Sequence, residues 1–235
     1  MTTPNKLFAA DLHFGHSNII KYSKRPFASI EEMDETLIAN WNAKVTNQDV
    51  VYLLGDVSFH KHMEDTVKLV KRLNGNITLV KGNHDDRVLM KLLMANRAVN
   101  FVKDYYEIGE EINGRREKFA LMHYPMQEWR GSHHGSIHLH GHCHGTMNNE
   151  GLLRMDVGVD CTGYTPISLD EVMVQINEKR ARIESGEEIS IHDWASRAKG
   201  FNELYRLAED DYLQFMADHL KYKEFYDERS SAVPS

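Results

Sequence analysis

Five short apolar runs, each typical of a buried β-strand, recur along the first two thirds of the chain. They are rich in Val, Ile, Leu or Phe, and a polar motif follows each of them at once. The runs are Lys6–Ala10, Val50–Leu54, Ile77–Val80, Phe119–Met122 and Ile137–His140. We therefore expect five strands whose carboxyl ends carry polar side chains.

Helical patterns alternate with these runs in the first hundred residues. A capping box at Ser29-Ile30-Glu31-Glu32 precedes an apolar stripe, and Asn74-Gly75 supplies a helix stop. The predicted helices are Ser17–Tyr22, a helix that begins after Ser29, Met63–Leu73 and Arg87–Met94. Because strands and helices alternate, this half of the chain predicts α/β architecture with parallel strand pairs.

Strand patterns follow one another closely after residue 100. They cover Phe101–Ile108, Phe119–Met122, Ile137–His140 and Leu152–Val159, and Asn113-Gly114 is typical of a hairpin turn. This half indicates a second sheet that is antiparallel or mixed. We expect an α/β (α+β) fold, a four-layer αββα sandwich of two mixed β-sheets flanked by helices.

The domain organisation follows from the last helical patterns. A capped helix that opens around Ser168 and ends before Gly186 closes a domain of residues 1–185. Residues 186–235 then predict a C-terminal helical extension whose apolar side packs against the domain, followed by a disordered tail. We found no internal repeat and no low-complexity tract.

Composition narrows the class of protein. The chain has 235 residues, of which 41% are hydrophobic and 27% charged, as in an ordinary soluble globular protein. A net charge of −7 does not support a broad basic surface that binds nucleic acid, although it is compatible with a locally positive cleft. Two cysteines make no disulfide framework, and the sequence shows neither a signal peptide nor a membrane span. We expect a cytoplasmic protein that has no contact with a membrane, and the sequence does not give its oligomeric state.

The polar motifs at the strand ends combine carboxylate, imidazole and carboxamide groups. They are Asp11-Leu12-His13, Gly55-Asp56, Gly82-Asn83-His84-Asp85, His123 and Gly141-His142-Cys143-His144. Residues two apart in an extended chain point the same way, so Asp11 and His13 can face one ion. Active sites of open sheets gather at the carboxyl ends of the strands. Although each motif is weak by itself, their joint occurrence predicts a hydrolytic metal centre.

The motifs also suggest how such a centre would work. Asp56 is a single carboxylate at a strand end, where it could bridge two cations that activate water and clamp a phosphate. His84 follows Asn83 and is the candidate proton donor for the leaving group. Asp85 or Asp86 could orient the His84 ring.

These residues resemble the sequence blocks of the calcineurin-like metallophosphoesterase superfamily, over roughly residues 6–160. The resemblance implies a double β-sandwich and two-metal hydrolysis of phosphate esters, with His84 as the proton donor. It implies two metal sites that share Asp56. One would be held by Asp11, His13, Asp56 and His144, and the other by Asp56, Asn83, His123 and His142.

The segment Asp11–His16 with Asn18-Ile19-Ile20 is similar to one branch in particular, the small bacterial and phage phosphoesterases. Purple acid phosphatases place a tyrosine ligand after the Gly-Asp block, but here the residues are Val57-Ser58-Phe59. Protein Ser/Thr phosphatases carry Asp-Arg-Gly there and end the next block in Glu, whereas this chain has Asp85. Phosphoprotein substrates are therefore not expected.

We expect a phosphodiesterase that acts on nucleotides, cyclic nucleotides or nucleic-acid ends. Mn²⁺ is the preferred cation because mixed Asp, Asn and His sites suit it, while Fe, Zn, Ni and Co remain compatible. Two alternatives stay open, a phosphomonoesterase of small phosphorylated metabolites and a non-catalytic metal-binding scaffold. The candidates for contact with the substrate phosphate are His16, Arg25, Arg87 and Arg130.

Overall fold

A computed structural model describes residues 4–149 and 151–188. The predicted C-terminal helical extension lies, from residue 189 onwards, outside the described residues. Within the described ranges the strands are β1 (Lys6–Ala9), β2 (Val50–Leu53), β3 (Asn76–Val80), β4 (Phe101–Lys103), β5 (Tyr106–Ile112), β6 (Arg115–Leu121), β7 (Ile137–His140), β8 (Arg154–Asp156) and β9 (Ile167–Ser168).

The helices of the described residues match most of the predicted ones. They are α1 (Ser17–Tyr22), α2 (Ile30–Lys44), α3 (Met63–Val70), α4 (Arg87–Ala95) and α5 (Leu169–Ser185), with a 3₁₀-helix at Ser132–His134. Side chains cap three of them, because Ser29, Asp86 and Ser168 accept hydrogen bonds from the first turns of α2, α4 and α5. None of the helices in these ranges is long and apolar enough to cross a membrane.

The first sheet has the strand order β4-β3-β2-β1-β9. Its first four strands are parallel, and β9 runs antiparallel to β1. The helical connections between β1, β2, β3 and β4 follow from this parallel arrangement, since parallel neighbours need a crossover. The carboxyl ends of β1, β2 and β3 consequently lie at one edge.

The second sheet has the order β5-β6-β7-β8, with β5 antiparallel to β6 and the other pairs parallel. The predicted hairpin is confirmed, because Asn113 and Gly114 both have positive φ, at 51° and 76°, between β5 and β6. Two strand predictions were too long. The run Phe101–Ile108 breaks between β4 and β5, which belong to different sheets, and Leu152–Val159 contributes only the short β8.

Alternate residues of the first sheet enter two different cores. Leu7 and Ala9 pack with α2, α3 and α4, whereas Phe8 and Ala10 pack against the second sheet and α5. Both faces of the first sheet are therefore covered, which explains its nearly continuous apolar strands. Two mixed sheets flanked by helices confirm the predicted α/β sandwich.

The two sheets meet beyond the carboxyl end of β1. Ala10 forms a parallel bridge with Gly158, and the Val159 N–H donates to the Ala10 carbonyl over 3.0 Å. Nearby, the Gly141 N–H donates to the His123 carbonyl, also over 3.0 Å. These contacts fix the segments that follow β1, β6, β7 and β8 relative to one another.

Candidate metal centre

The segments that follow β1, β2, β6 and β7 bring potential metal ligands together in two groups. One group contains Asp11, His13 and His144, and the other contains Asp56, His123 and His142. Within each group the ligand atoms lie within 4.8 Å of one another. The division agrees with the two sites that the sequence resemblance implies.

Asp56 lies between the two groups. Its Oδ2 is 3.7 Å from His13 Nε2 in one group and 3.5 Å from His123 Nε2 in the other. The side chain is almost fully buried, with 3% of its surface exposed. A single carboxylate that faces imidazoles on both sides has the position of a bridging ligand.

Asn83 completes the second group. Its Oδ1 lies 2.8 Å from His123 Nε2 and 2.9 Å from His142 Nδ1. His123 Nδ1 is 2.7 Å from the Leu54 carbonyl, which can only accept, so Nδ1 carries a proton and Nε2 is the ring nitrogen that faces Asn83. An amide oxygen within 3 Å of two imidazole nitrogens is a set of donor atoms that could also hold a divalent cation.

His13 gives an independent test of whether the first group fits a metal. Its Nε2 is buried and has no hydrogen-bond partner. Burial lowers the pKa of His13 to about 2, which keeps the ring neutral. A neutral imidazole nitrogen that is buried, unpartnered and 3.8 Å from an Asp11 carboxylate oxygen is suited to a divalent cation.

Asp11 is the most buried carboxylate of the site. Burial raises its pKa to about 7, because the carboxylate has lost most of its hydration. One of its oxygens accepts a hydrogen bond of 2.9 Å from the backbone N–H of His142. A bound cation would offset the remaining desolvation cost of the charged form.

The backbone at the site is strained. Five of the seven predicted ligands have positive φ, although none is glycine: Asp11 (59°), His13 (54°), Asp56 (53°), His142 (71°) and His144 (47°). Such conformations are uncommon for residues with a Cβ and cluster at functional sites. The surrounding fold therefore holds the ligands in place at a cost in local energy.

Two glycines allow the close approach of these segments. A Cβ at Gly82 would lie 2.2 Å from Asp56 Oδ1, and a Cβ at Gly141 would lie 2.5 Å from Asp11 Oδ2. Both distances are far below van der Waals contact. The glycines of the Gly-Asn-His-Asp and Gly-His-x-His motifs are thus needed for space beside the carboxylates.

Arg25 has a different position from the one expected of a substrate contact. Its side chain is fully buried, and Nε and Nη2 each donate to the Asp160 carboxylate over 2.8 Å. Nη2 also donates to the Asp11 carbonyl over 2.7 Å, and Nη1 to the Leu12 carbonyl over 3.0 Å. Arg25 therefore anchors the first ligand loop, and its buried, fully hydrogen-bonded side chain does not fit the predicted contact with the scissile phosphate.

Asp160 links Arg25 to the first group of ligands. Its Oδ2 lies 2.6 Å from His144 Nδ1, which leaves His144 Nε2 as the atom available to a metal. Although burial opposes both shifts, this hydrogen bond raises the pKa of His144, and the bonds from His144 and Arg25 lower the pKa of Asp160. Sequence reasoning missed Asp160, yet it follows the predicted strand Leu152–Val159 directly, so the strand-end signal was present.

Asp85 and Asp86 do not orient His84 as expected. The Asp85 carboxylate is buried and accepts from the backbone N–H groups of Asp56, Val57 and Gly82, over 2.8–3.0 Å. Burial raises its pKa. Asp86 caps α4. Asp85 thus joins the loops that follow β2 and β3, which places Asp56 beside Asn83.

His84 lies at the rim of the site rather than among the ligands. Its side chain is 47% exposed, and Nε2 is 4.0 Å from Asp56 Oδ2. Its backbone N–H donates to Asp56 Oδ1 over 3.0 Å. Phe59, which sequence reasoning also missed, lies beside it with ring centroids 4.6 Å apart. A half-exposed imidazole next to the Asp56 carboxylate can exchange protons with a bound molecule.

The other three candidates for substrate contact differ in their surroundings. His16 stacks on Phe59 at 3.9 Å, and its Nδ1 is 3.2 Å from His13 Nδ1, so it borders the site. Arg87 is exposed at the start of α4. Arg130 is 82% exposed and pairs with Glu107 of β5 at 3.0 Å. Only His16 contacts a ligand directly among these three.

Comparison with known proteins agrees with this geometry. The sequence model described as calcineurin-like phosphoesterase matches residues 6–162, about two thirds of the chain. The chain belongs to the calcineurin-like phosphoesterase family. Members of this family are dinuclear metal-dependent hydrolases of phosphoric esters, so the protein is a hydrolase of this class, and its two Asp/His groups are sites that could bind metals.

Relatives with similar sequences come from an archaeon and from phages. The chain is 37% identical over 177 residues to the uncharacterized protein MJ1445 of Methanocaldococcus jannaschii, covering 72% of this chain and 89% of that protein. It is 27% identical over 202 residues to the Gene 66 protein of Mycobacterium phage L5, covering 74% of this chain and 94% of that protein.

A solved structure shows the same fold. AQ665 from Aquifex aeolicus, described as a protein of unknown function, is 23% identical and superposes with a TM-score of 0.56. The likeness covers 73% of this chain and 99% of that chain. At this level of identity it supports the sandwich fold of the family and no particular substrate.

The contact between Asp160 and His144 leads to a first prediction. Asp160→Asn should weaken cation binding at the group of Asp11, His13 and His144 by about 10- to 100-fold, because loss of a carboxylate that orients a metal-bound histidine has that effect. Titration calorimetry with Mn²⁺ would measure it. Asp104→Asn, at an exposed turn between β4 and β5, is the matched control. Equal affinities for both variants and the parent would show that Asp160 does not orient His144.

Proposed function

We propose that this calcineurin-like phosphoesterase is a two-metal phosphodiesterase whose substrates are nucleotides, cyclic nucleotides or nucleic-acid ends. The position of Asp56 carries the proposal, because its Oδ2 lies within 3.7 Å of imidazole nitrogens from both ligand groups. The unpartnered Nε2 of His13 and the two imidazole nitrogens within 3 Å of Asn83 Oδ1 support it. The site residues and their roles are part of the proposal.

Two divalent cations, when bound, would supply an activated water and Lewis-acid stabilisation of the phosphate. Asp56 would bridge them, and the remaining six ligands would divide into the two groups of the structure. His84 would give a proton to the leaving oxygen from its half-exposed position. His16, which lies beside His13 and stacks on Phe59, would donate a hydrogen bond to a phosphate oxygen.

The surroundings favour a diester over a monoester. A monoester dianion carries one more negative charge than a diester, and a site for it gains from a cationic side chain at the phosphate. Arg25 is committed to Asp160 and two carbonyls, and Arg130 pairs with Glu107. Of the three candidate arginines Arg25, Arg87 and Arg130, only Arg87 is exposed and without an ion pair among the described residues.

Mn²⁺ is the cation that we propose for both sites. The ligands are imidazole nitrogens, carboxylates and one carboxamide, without a thiolate, and this donor set suits Mn²⁺. Fe, Zn, Ni and Co bind similar ligands. Cellular availability would decide among these cations, because first-row metals follow a general order of affinity at any such site.

Hydrolysis of bis-p-nitrophenyl phosphate by the full chain tests the proposal. With Mn²⁺ at saturation, we expect turnover of this diester to exceed that of p-nitrophenyl phosphate, because two of the three candidate arginines are already committed to ion pairs. EDTA should abolish both activities, and Mn²⁺ should restore them.

The outcomes separate the competing functions. Faster turnover of the monoester would overturn the diesterase assignment in favour of a phosphomonoesterase. A metal-loaded protein that turns over neither ester would indicate a scaffold and would overturn the catalytic proposal. A panel of cyclic mononucleotides, dinucleotides and end-labelled oligonucleotides would then rank the natural substrate classes.

A further inference from the structure

A groove on the second sheet lies outside the metal centre. Its floor is made by β5 and β6, its wall is made by residues 130–136, and its volume is about 680 Å³. Phe119 and Leu121 of β6 enter the core between the sheets, whereas Ala120 packs with Trp129 on the other side. Lys118 shares the face of Ala120, because alternate residues of a strand point the same way. The groove therefore opens on the outer face of the sandwich.

The groove is cationic although the whole chain has a net charge of −7. The lining contains four permanent cations and two carboxylates. The cations are Arg115, Arg116, Lys118 and Arg130, and the carboxylates are Glu107 and Glu117. Both carboxylates are already neutralised by ion pairs of 2.8–3.0 Å, Glu107 with Arg130 and Glu117 with Arg180.

Two of the cations are available to an incoming anion. Within the part of the chain that the structure describes, the side chains of Arg116 and Lys118 make no hydrogen bond and no ion pair, while their backbones pair with β5. Arg116 lies over Gly109, where a Cβ would come within 3.4 Å of its Nε and Nη2. Gly109 pairs in register with Lys118, so both cations border the same side-chain-free patch of the floor. Glu111 is opposite Arg116 in register and forms no ion pair with it.

Strand β6 connects the groove to the metal centre along the chain. β6 runs from the groove to Leu121, and the ligand His123 follows two residues later. Lys118 precedes His123 by five residues, about 16 Å in extended backbone. Tyr124, whose ring lies 4.7 Å from that of His142 and is 41% exposed, begins the loop that reaches Arg130. A chain of phosphates with one ester at the metals could extend towards the groove.

We infer that this groove binds the phosphate backbone of a single-stranded nucleic acid whose end enters the metal centre. The inference rests on the proposed function for the choice of occupant. Charge complementarity supports it, because unpaired arginine and lysine side chains in an open groove match a polyanion. An exposed aromatic ring beside the ligands supplies a surface on which a base could stack.

The test measures binding without turnover. A fluorescein-labelled oligothymidylate of twelve nucleotides would be titrated with the full chain in EDTA, and fluorescence anisotropy would give the Kd at several salt concentrations. The parent should bind with a strong dependence on salt. Arg116→Gln/Lys118→Gln should bind about tenfold more weakly at low salt, and its log–log salt slope should be shallower by about 1.4, since two phosphate contacts are lost.

A matched control isolates the groove from net charge. Lys71→Gln/Lys91→Gln removes two exposed lysines, one directly after α3 and one within α4. This variant should keep the parental Kd and the parental salt slope. Thermal unfolding would show that each variant is folded. The glutamine variants avoid the like charges that glutamates would place opposite Glu111.

Two results would overturn the inference. Equal Kd values for the groove variant and the parent would show that the groove does not hold the oligonucleotide. If poly-glutamate competes as well as unlabelled oligothymidylate, the groove binds acidic polypeptides rather than nucleic acid in particular. Because the assay contains no metal, its failure is distinct from failure of the diesterase assay, which reports on the proposed function alone.

Discussion

Asp56→Asn should abolish stoichiometric binding of two cations and lower diester turnover by about 10³-fold or more. The carboxylate faces His13 and His123 at 3.7 and 3.5 Å, so its loss affects both ligand groups together. The amide keeps an oxygen that can accept from the His84 N–H, but it places an NH₂ group where a bridging oxygen would be. Metal ions supply several kcal/mol of transition-state stabilisation, and each 1.36 kcal/mol corresponds to a factor of ten.

Elemental analysis and thermal unfolding would measure the effect of Asp56→Asn independently of activity. Mn²⁺ should raise the Tm of the parent, because a ligand that binds only the folded state stabilises it, and it should leave the Tm of the variant unchanged. Asp65→Asn is the control, since Asp65 is an exposed carboxylate of α3 paired with Lys68. An Asp56→Asn protein that still binds two ions per chain would contradict the bridging role.

The sequence predicts which polar side chains the structure brings together, because their positions depend on local pattern. Apolar runs mark β1, β2, β3, β6 and β7, and the carboxyl ends of parallel neighbours in one sheet lie at the same edge. The residues after β1, β2 and β3 are therefore neighbours, as are those after β6 and β7, and the bridge between Ala10 and Gly158 joins the two sheets near these ends. The Ser29 cap and the Asn113-Gly114 turn are equally local signals, and the structure has α2 and the hairpin at the expected residues. The capping box at Ser29 is only half formed, because the Glu32 carboxylate accepts from the Ala28 N–H instead of the Ser29 N–H.

Contacts between distant residues are what the sequence does not reveal. Arg25 follows a short helix and precedes a proline, so it has the pattern of a surface residue. Its burial results from Asp160, which lies 135 positions later in the chain. Asp85 is similar, because its carboxylate serves the backbone of a loop almost thirty residues away. No periodicity encodes pairings at such separations.

The division between β4 and β5 shows the same limit. Phe101–Ile108 has the pattern of one strand, yet residues 104 and 105 separate a strand of the first sheet from a strand of the second. Both are edge strands with the same alternation of half-buried and exposed residues, so the alternation does not distinguish the two sheets. Only the pairing of Phe101 with Thr78, and of Tyr106 with Leu121, assigns them.

The ligand geometry has an energetic consequence for the metal-free protein. Asp11 and Asp56 are both buried, each is close to His13, and the proximity of Asp56 adds to the raised pKa of Asp11. Five ligands with positive φ add backbone strain. The fold therefore maintains a site that is unfavourable by itself, and the hydrogen bonds of Arg25 and Asp85 to the ligand loops resist its rearrangement.

His84→Ala should keep both cations but lower kcat, and the size of the fall should depend on whether the leaving group needs a proton. The His84 side chain belongs to neither ligand group, and the backbone N–H that donates to Asp56 survives the substitution. General acid catalysis contributes about 10²- to 10⁴-fold when a leaving oxygen needs a proton. We expect kcat to fall by that amount for a dinucleotide, whose leaving group is an alkoxide, while the metal content stays at the parental value.

The substrate series decides whether His84 is the acid or merely shapes the rim. p-Nitrophenolate leaves without protonation, so the loss for bis-p-nitrophenyl phosphate should be much smaller than for the dinucleotide. A side chain that only positions the phosphate would lower both rates equally, and parental rates for both substrates would remove His84 from the mechanism altogether. His62→Ala is the control, because His62 is an exposed imidazole that precedes α3 and makes no capping bond. Since both substrates are hydrolysed at one metal centre, the ratio of their two rate losses in His84→Ala isolates the effect of proton donation from the other contributions of the site.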